Sequence, residues 1–563
     1  MKLVTAQDMK EIERRAEEDE KFPVPTRELM LNAGQSVFEA IMVQSRFEVS
    51  ADTDSELEEG TAVILAGSGN NGGDAMVTAA LLRQQFPQAD IKIYFYHRPR
   101  PDDEGGFPDK LTYTDAEEQD GMELDGEPAF EALESDLEEA VLVVDGLLGS
   151  GLKRPVTGAL ERIIDMVNEA HDERQHDPAP MMVVAIDVPS GINSDDGQPQ
   201  GVAIKADLTV TLGYPKRGLY TYEAADYTGR ITIGDIGISP ALATQIEREA
   251  EKNHDPCIIT STWARAHLPS RPLTGHKGTF GKLMVLSGAS NYLGAPYLCT
   301  GAGMRAGAGL VTLAAPQHIV NIVATKLSEN TFLVLPEPTG EKEAGEAASM
   351  VRQQLTEGKY QVLLMGPGLG NDEGKAALVR NVLSWGKEPD FKWPRMVVDA
   401  DGLNLLARVP EWWKQVPANN ILTPHPGELA TLRNQSISEI EADRLKSALE
   451  AAKAFNQVVV LKGAYTVVAA PDGRVKINPA GNAAMATAGS GDVLAGITAG
   501  LLTQFVREKE ADAFDVACLA VYLHSMAGEL VRRELGDMGP LAGDFLQSIP
   551  EAVVALKNGD SLE

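Results

Sequence analysis

A single carboxylate, Asp492, stands among small residues in the run Asn478 to Gly500, NPAGNAAMATAGSGDVLAGITAG. Gly489 and Gly491 let backbone N–H groups converge on an anion, and the apolar VLAGITAGLL that follows predicts a buried helix whose positive end faces that anion. An acid beside such a hole suits proton transfer next to phosphate. The plainer reading is a glycine-bearing helix start with Asp492 as first-turn partner of the helix dipole. A second glycine-rich turn, Gly67-Ser-Gly69-Asn70-Asn71-Gly72-Gly73-Asp74, follows an apolar strand and precedes the helical pattern AMVTAALLRQ. It satisfies GxGxxG, yet a dinucleotide fold ends its next strand on an acid, whereas here Asp90 precedes IKIYFY and His97-Arg98 follows it. The amide and carboxylate oxygens of this turn suit a cation or a sugar hydroxyl instead. Two further acids end strands, Asp145 in VLVVDGLLGSGLKRPVTG and Asp187 in VVAIDVPSGIN. Ligands in open α/β sheets gather at the carboxyl ends of strands, so Asn71, Asp145, Asp187 and Ser190 are expected as neighbours, with simple capping as the alternative.

The elements that must position these groups form two series of short apolar runs alternating with helical patterns, the mark of parallel sheets covered by helices. The first series holds TAVILAG (61–67), IKIYFY (91–96), VLVVDG (141–146), MMVVAIDVPSG (181–191), ADLTVTLG (206–213) and ITIGDIG (231–237). The second holds KLMVLSG (282–288), GLVTLAAP (309–316), VLLMGPG (362–368), RMVVDADG (395–402), NILTPHPGE (420–428) and VVVLKG (458–463). Between them the polar helix Ala243 to Pro256 reads as a linker, with the boundary near Ala250 to Cys257. The stretch Pro101 to Glu139, rich in Asp, Glu and Gly, reads as an acidic surface excursion. GAGMRAGAG, 301–309, fits GxGxxA but lies inside a helical pattern, so close helix packing is expected there. No tandem repeat is evident.

Composition narrows the class. A chain of 563 residues holds two to four domains, and a formal charge of −32 repels nucleic acid and anionic membrane surfaces. The three cysteines lack CxxC spacing, and none of the nine histidines falls in HExxH, so neither a disulfide framework nor a histidine-bound metal is indicated. The N-terminal helix is charged, without an apolar signal core, and no stretch approaches the ~20 apolar residues of a membrane span. A cytoplasmic protein binding neither nucleic acid nor membrane is expected.

Taken together these residues carry a family resemblance. GSGNNGGDA, VDGLLGSGLKRPVTG and IDVPSGIN resemble the motifs of NAD(P)H-hydrate epimerases, and KGTFGKLMVLSGA, GPGLG, TPHPGE, KGAYT and AGSGDVLAG resemble those of ADP-dependent NAD(P)H-hydrate dehydratases. Their order resembles the bifunctional repair enzymes over nearly the whole chain. The resemblance implies an N-terminal Rossmann-like three-layer α/β/α epimerase domain, 1–250, and a C-terminal ribokinase-like α/β/α dehydratase domain, 251–563. The first would interconvert the R and S hydrates of NADH and NADPH, and the second would dehydrate the S form at the expense of ADP. It implies a potassium ion on Asn71, Asp145 and Ser190, with Asp187 as acid/base at C6. Substrate would be held by Asn70, Asn71, Gly72, Gly73 and Asp74 and by the loop Gly149, Ser150, Gly151, Leu152, Lys153, Arg154 and Pro155. In the dehydratase half it places ADP on Lys462, Gly463, Ala464, Tyr465, Thr466 and Gly491, and the hydrate on Ala295, Gly368, His425 and Asp492. Asp492 would be the catalytic base, and magnesium would offset phosphate charge. His425 between two prolines has a second reading, ordering a turn. Ser150, Ala75, Ala480 and Ser490 differ from the commonest family residues without removing a ligand. A homo-oligomer is expected.

Three other classes fit parts of the sequence. A sugar or vitamin kinase would share the glycine-acid logic of the second half but would not need the first. A non-catalytic nucleotide sensor would gain nothing from acids set against phosphates, because like charges weaken binding. A nicotinamide oxidoreductase would rest on GxGxxG alone.

Overall fold

The computed structural model describes residues 1–19, 21–44, 47, 55–58, 60–97, 121–177, 179–388, 391–505 and 512–562. The chain forms two compact units, Met1–Asp255 and Pro256–Leu562.

The first unit is built on seven strands, β1 Thr61–Gly67, β2 Asp90–Tyr96, β3 Gly121–Glu123, β4 Ala140–Gly146, β5 Met182–Ile186, β6 Leu208–Leu212 and β7 Arg230–Gly234. Every pairing is parallel, in the order β3-β2-β1-β4-β5-β6-β7. The strands read as continuous apolar runs because both faces are covered. Alternation divides them: Ala62, Ile64 and Ala66 enter one core with the helices Ala6–Glu17, Thr26–Met42 and Asn70–Gln85, while Val63 and Leu65 face Glu127–Glu139 and Ala159–Arg174. The chain runs outward from β1 in one direction and from β4 in the other. A crevice therefore opens between the carboxyl ends of β1 and β4, where loops part to opposite faces.

The second unit has ten strands, β8 Cys257–Ile258, β9 Lys282–Leu286, β10 Leu310–Pro316, β11 Thr331–Leu335, β12 Val362–Met365, β13 Arg395–Val398, β14 Ile421–Leu422, β15 Val458–Leu461, β16 Val467–Ala469 and β17 Val475–Ile477. Their order is β11-β10-β9-β12-β13-β14-β15-β16-β17-β8, parallel as far as β15, with antiparallel β15/β16 and β16/β17 pairs. The direction reverses between β9 and β12, giving this sheet its own switch point. The helices Gly294–Arg305, Ser490–Phe505, Ala513–Leu535 and Ala542–Asn558 share one large core. Gly294–Arg305 and Ser490–Phe505 come so close that a Cβ on Gly500 would lie 2.5 Å from the Gly303 carbonyl oxygen, the packing that the 301–309 glycines serve. Ala513–Leu535 is long and apolar enough to cross a membrane by length and composition, but it is packed inside this core.

Three sequence expectations change. The helix read as a linker, Pro240–Asn253, belongs to the first unit, because Leu242, Ile246 and Ala250 recur on one face and bury there. Of the acidic stretch Pro101 to Glu139, residues 101–120 lie outside the described ones. Residues 121–139 form β3 and a helix whose Ala129, Phe130, Leu133 and Leu137 seal the sheet, a period masked by intervening acids. NILTPHPGE contributes only two strand residues, since Pro426 opens a helix.

Candidate active sites

In the first unit, β1 ends at Gly67 and the helix Asn70–Gln85 begins three residues later, so Asn70 to Asp74 form its first turn. The glycines here answer to space. A Cβ on Gly72 would overlap the Gly67 carbonyl oxygen, and one on Gly67 would overlap that of Leu147. This tight contact brings Asn71 against the loops after β4 and β5, where its Nδ2 donates to the carbonyls of Leu148 and Ile186, both at 2.9 Å. Beneath, fully buried Asp145 accepts from Ser190 Oγ at 2.6 Å, from Ser190 N at 2.8 Å and from Leu147 N at 3.2 Å. Burial outweighs these bonds and lifts its pKa from 3.8 to about 6. The expected neighbours Asn71, Asp145 and Ser190 are thus one linked cluster.

Asp187 follows β5 with φ +65°, in the left-handed region that Asp tolerates better than most residues. Its Oδ1 accepts from Leu212 N at 3.2 Å and pairs with the ammonium of Lys216. Both partners take Oδ1, Oδ2 has no such partner among the described residues, and Asp187 lines a cleft of about 590 Å³. Asn70, Asn71, Asp74, Asp187 and the loop Gly149 to Arg154 line this cleft, whereas Gly72, Gly73, Asp145, Pro155 and Ser190 lie outside its lining. Burial first, then the charges of Asp187 and Glu13, drive the pKa of Asp74 well above the ordinary carboxyl value. Met9, Lys10, Glu13 and Lys216 also line the cleft and were absent from the sequence reading. The first three come from the charged terminal helix, which carries no recognisable motif. Lys216 carries no motif, and only the fold brings it to Asp187.

In the second unit Asp492 occupies the first turn of Ser490–Phe505. Burial, then the Asp399 charge, raises its pKa from 3.8 to about 7 against the opposing pull of Lys462. Lys462, just past β15, bonds Asp399 Oδ1 at 2.7 Å and lies 3.6 Å from Glu428 Oε2. A Cβ on Gly491 would be 3.3 Å from its Nζ, so the KGAYT and AGSGD motifs meet at this ammonium. Burial opposes the charge of Lys462, but Asp399 and Glu428 outweigh it and raise its pKa. Glu428 is pushed up to about 7 by burial, with Lys462 opposing.

The remaining predicted residues surround this centre. His425 caps the helix Pro426–Arg433, its Nδ1 accepting from Gly427 N at 3.0 Å and Glu428 N at 3.3 Å, the turn-ordering geometry of its second reading. Burial, then Lys462, lowers its pKa, so the ring lies within reach of the same charge centre. A Cβ on Gly368 would be 2.8 Å from that of Ala295, and two residues on Gly370 N donates to Asp401 at 2.8 Å. Gly463, Ala464, Tyr465 and Thr466 form a turn after β15, with Tyr465 at φ +53° and Thr466 Oγ1 bonding the Gly463 carbonyl at 2.9 Å. Asp399 and Glu428 had received no role, although Asp399 ends a strand by the rule that found Asp145 and Asp187. Among the described residues no group of three or more His, Cys, Asp or Glu could hold a metal ion.

Two α/β units, each built on a mainly parallel sheet with buried acids set around a lysine, define a two-unit α/β enzyme. A family model described as YjeF-related protein N-terminus matches residues 26–218, and one described as NAD(P)H-hydrate dehydratase matches 283–551. The bifunctional NAD(P)H-hydrate repair enzyme of Moorella thermoacetica is 37% identical over 98% of this chain and 96% of its own length. That of Escherichia coli is 34% identical over 95% and 91%. The crystal structure of the ADP/ATP-dependent NAD(P)H-hydrate dehydratase of Bacillus subtilis covers 53% of this chain and 98% of its own, at 31% identity and a TM-score of 0.45. The chain belongs to the family of bifunctional NAD(P)H-hydrate repair enzymes.

Proposed function

We propose that residues 1–250 epimerise hydrated NADH and NADPH at C6 and that residues 251–563 dehydrate the S form at the expense of ADP. The observation that carries this reading is the pair of separate acid centres, Asp187 facing a cleft and Asp492 at a glycine-flanked helix start beside Lys462. In the first, Asp187 Oδ2 protonates the departing C6 hydroxyl, which leaves as water while the ring nitrogen lone pair forms an iminium. Water then adds to the other face and gives its proton to a base, returning the hydrate as its epimer. Asn70, Asn71 and Asp74 and the backbone of Gly149 to Arg154, with the Lys153 and Arg154 side chains, hold the nucleotide.

The Asn71, Asp145 and Ser190 cluster fits a potassium ion. Asn71 gives its amide hydrogens to two carbonyls and keeps Oδ1, and the donors to buried Asp145 among the described residues are all neutral. When bound, the ion balances that buried charge.

In the second unit Asp492 takes the proton of the C6 hydroxyl, whose oxygen attacks the β-phosphorus of ADP and releases AMP. Phosphate then leaves with the C6–O electrons, pushed by the ring nitrogen, and loss of a C5 proton restores the dihydronicotinamide. Hydroxide has been exchanged for a better leaving group, which is why a nucleotide is consumed. The backbone about Gly491 and the ammonium of Lys462 face the transferring group. Magnesium, when bound, offsets its charge, and with no three-ligand cage among the described residues it would be held chiefly by phosphates and water, near Asp399 and Glu428.

The test is a mixture of R and S hydrate given to the purified chain with ADP and magnesium. Recovery of dihydronicotinamide absorbance from both epimers is expected. Recovery of S alone would refute the epimerase assignment, and no recovery would favour a kinase of a stable alcohol.

A further inference from the structure

Lys216 is 1% exposed, a burial lysines rarely adopt without paired charges. It lies four residues beyond β6, and its backbone is clamped from the N-terminus. Val4 and Lys216 form a parallel bridge, with Val4 N donating to Pro215 O at 3.0 Å and Arg217 N to Val4 O at 2.9 Å. Its ammonium donates to the Leu212 carbonyl at 2.6 Å and pairs with Asp187 Oδ1. Leu212 therefore grips both partners, its carbonyl on Lys216 and its N–H on the same Asp187 oxygen.

This arrangement removes a freedom that would spoil catalysis. A carboxylate rotates between two equivalent oxygens, and a proton can sit on either. With Oδ1 held by an ammonium and an amide, only Oδ2 remains to exchange a proton across the cleft. Resting on the epimerase reading of this unit, we propose that Lys216 is the positioning residue that fixes Asp187 and makes Oδ2 its single working oxygen.

The charges around Lys216 make it necessary as well as well placed. Glu13, from the helix Ala6–Glu17, and Asp74, from Asn70–Gln85, face the same point, and both interact with Asp187 and Lys216. Lys10 interacts with Glu13, and Lys153 and Arg154 line the same cleft. Burial, with Asp187 adding to it, holds the Glu13 carboxyl above its ordinary value. Three acids crowd one spot, and among the described residues Lys216 pairs directly with Asp187.

The experiment compares Lys216→Gln and Lys216→Arg with the full wild-type chain, following R/S interconversion chromatographically across pH. Gln should lower kcat by about the ~10²-fold of a lost acid–base contribution while KM stays within about threefold. The alkaline limb of the kcat profile should rise by about 1–3 pH units, because an acid deprived of a neighbouring cation holds its proton longer. Arg should leave the limb in place and recover most of the rate. If Gln lowers kcat without moving the limb, or leaves both unchanged, the proposal is overturned. Should Gln fail to fold, Arg decides: a limb that rises although the charge is kept refutes the role. A wild-type chain with no interconversion at all would instead overturn the epimerase reading beneath it.

Discussion

The replacement Asp492→Asn should abolish dehydration and at the same time stabilise the second unit, by an amount that depends on pH. Burial, then Asp399, shifts the Asp492 pKa from 3.8 to about 7 in the folded protein. At ~1.4 kcal/mol per pH unit this is a preference of about 4 kcal/mol for the protonated acid. The sign follows from linkage. A carboxyl whose folded pKa is raised contributes no penalty below its unfolded value, about 4, and destabilises progressively as pH rises toward about 7. Asn keeps the shape and carries no charge. The variant should gain about 4 kcal/mol at most near pH 8, only about 1–2 kcal/mol near pH 5, and nothing well below pH 4. Denaturant unfolding read by tryptophan fluorescence isolates the effect, because all five tryptophans, Trp263, Trp385, Trp393, Trp412 and Trp413, lie in the second unit. A gain equal at pH 5 and 8 would refute ionisation as its cause. No gain at either pH would mean that the buried acid is not strained.

Other outcomes follow from the same geometry. Asp492→Asn should leave R/S interconversion intact, and Asp187→Asn should do the reverse, so that only the S hydrate of a mixture is consumed; loss of both activities from either folded variant would contradict separate centres. Gly500→Ala should lower stability by about 1–3 kcal/mol as an overpacking change, since the new methyl meets Gly303 O at 2.5 Å, and tryptophan-monitored unfolding would show it. His171 bonds Asp207 at 3.1 and 3.2 Å, which raises its pKa although burial opposes. Its contribution is therefore fully present below the unfolded value, about 6.5, and lost as pH climbs through the higher folded value. Asp207→Asn should flatten that dependence in the unfolding of the first unit, read by far-UV circular dichroism.

What the sequence discloses is what is local. Continuous apolar runs ending in acids place the long central strands and bring Asp145 and Asp187 to one crevice, because parallel strands present their carboxyl ends together. Gly67 and Gly72 of GSGNNGGD are legible as necessary but not for their reason, which is the close approach of the Leu147 carbonyl from another loop to the first and of the Gly67 carbonyl to the second. Strands β8, β16 and β17 span two or three residues each, too few for any period to declare itself. Lys216 and Glu13 stay hidden for a different cause. Each sits in an ordinary polar context, and contacts distant in sequence, such as the bridge between Val4 and Lys216 and the burial of Met9 and Ile12, fold the terminal helix onto the cleft.

The two centres use the same parts with different wiring, and the difference matches their chemistry. Each has an acid, a lysine paired with a carboxylate and further carboxyls. In the first unit the lysine pairs with the working acid itself, Lys216 with Asp187, so one carboxyl oxygen is occupied and the other is left to exchange a proton. In the second the lysine bonds Asp399 and approaches Glu428, while Asp492 keeps a pKa of about 7. A base for an alcohol that will attack phosphorus benefits from that value, since a weakly held charge near phosphates repels them less and a stronger base takes the hydroxyl proton more readily. Moving the wiring tests the logic. Asp399→Asn removes the lysine's partner and the largest charge acting on Asp492, so the acid limb of dehydration should fall below about 7 while kcat drops. A limb that stayed in place would show that burial alone sets this acid.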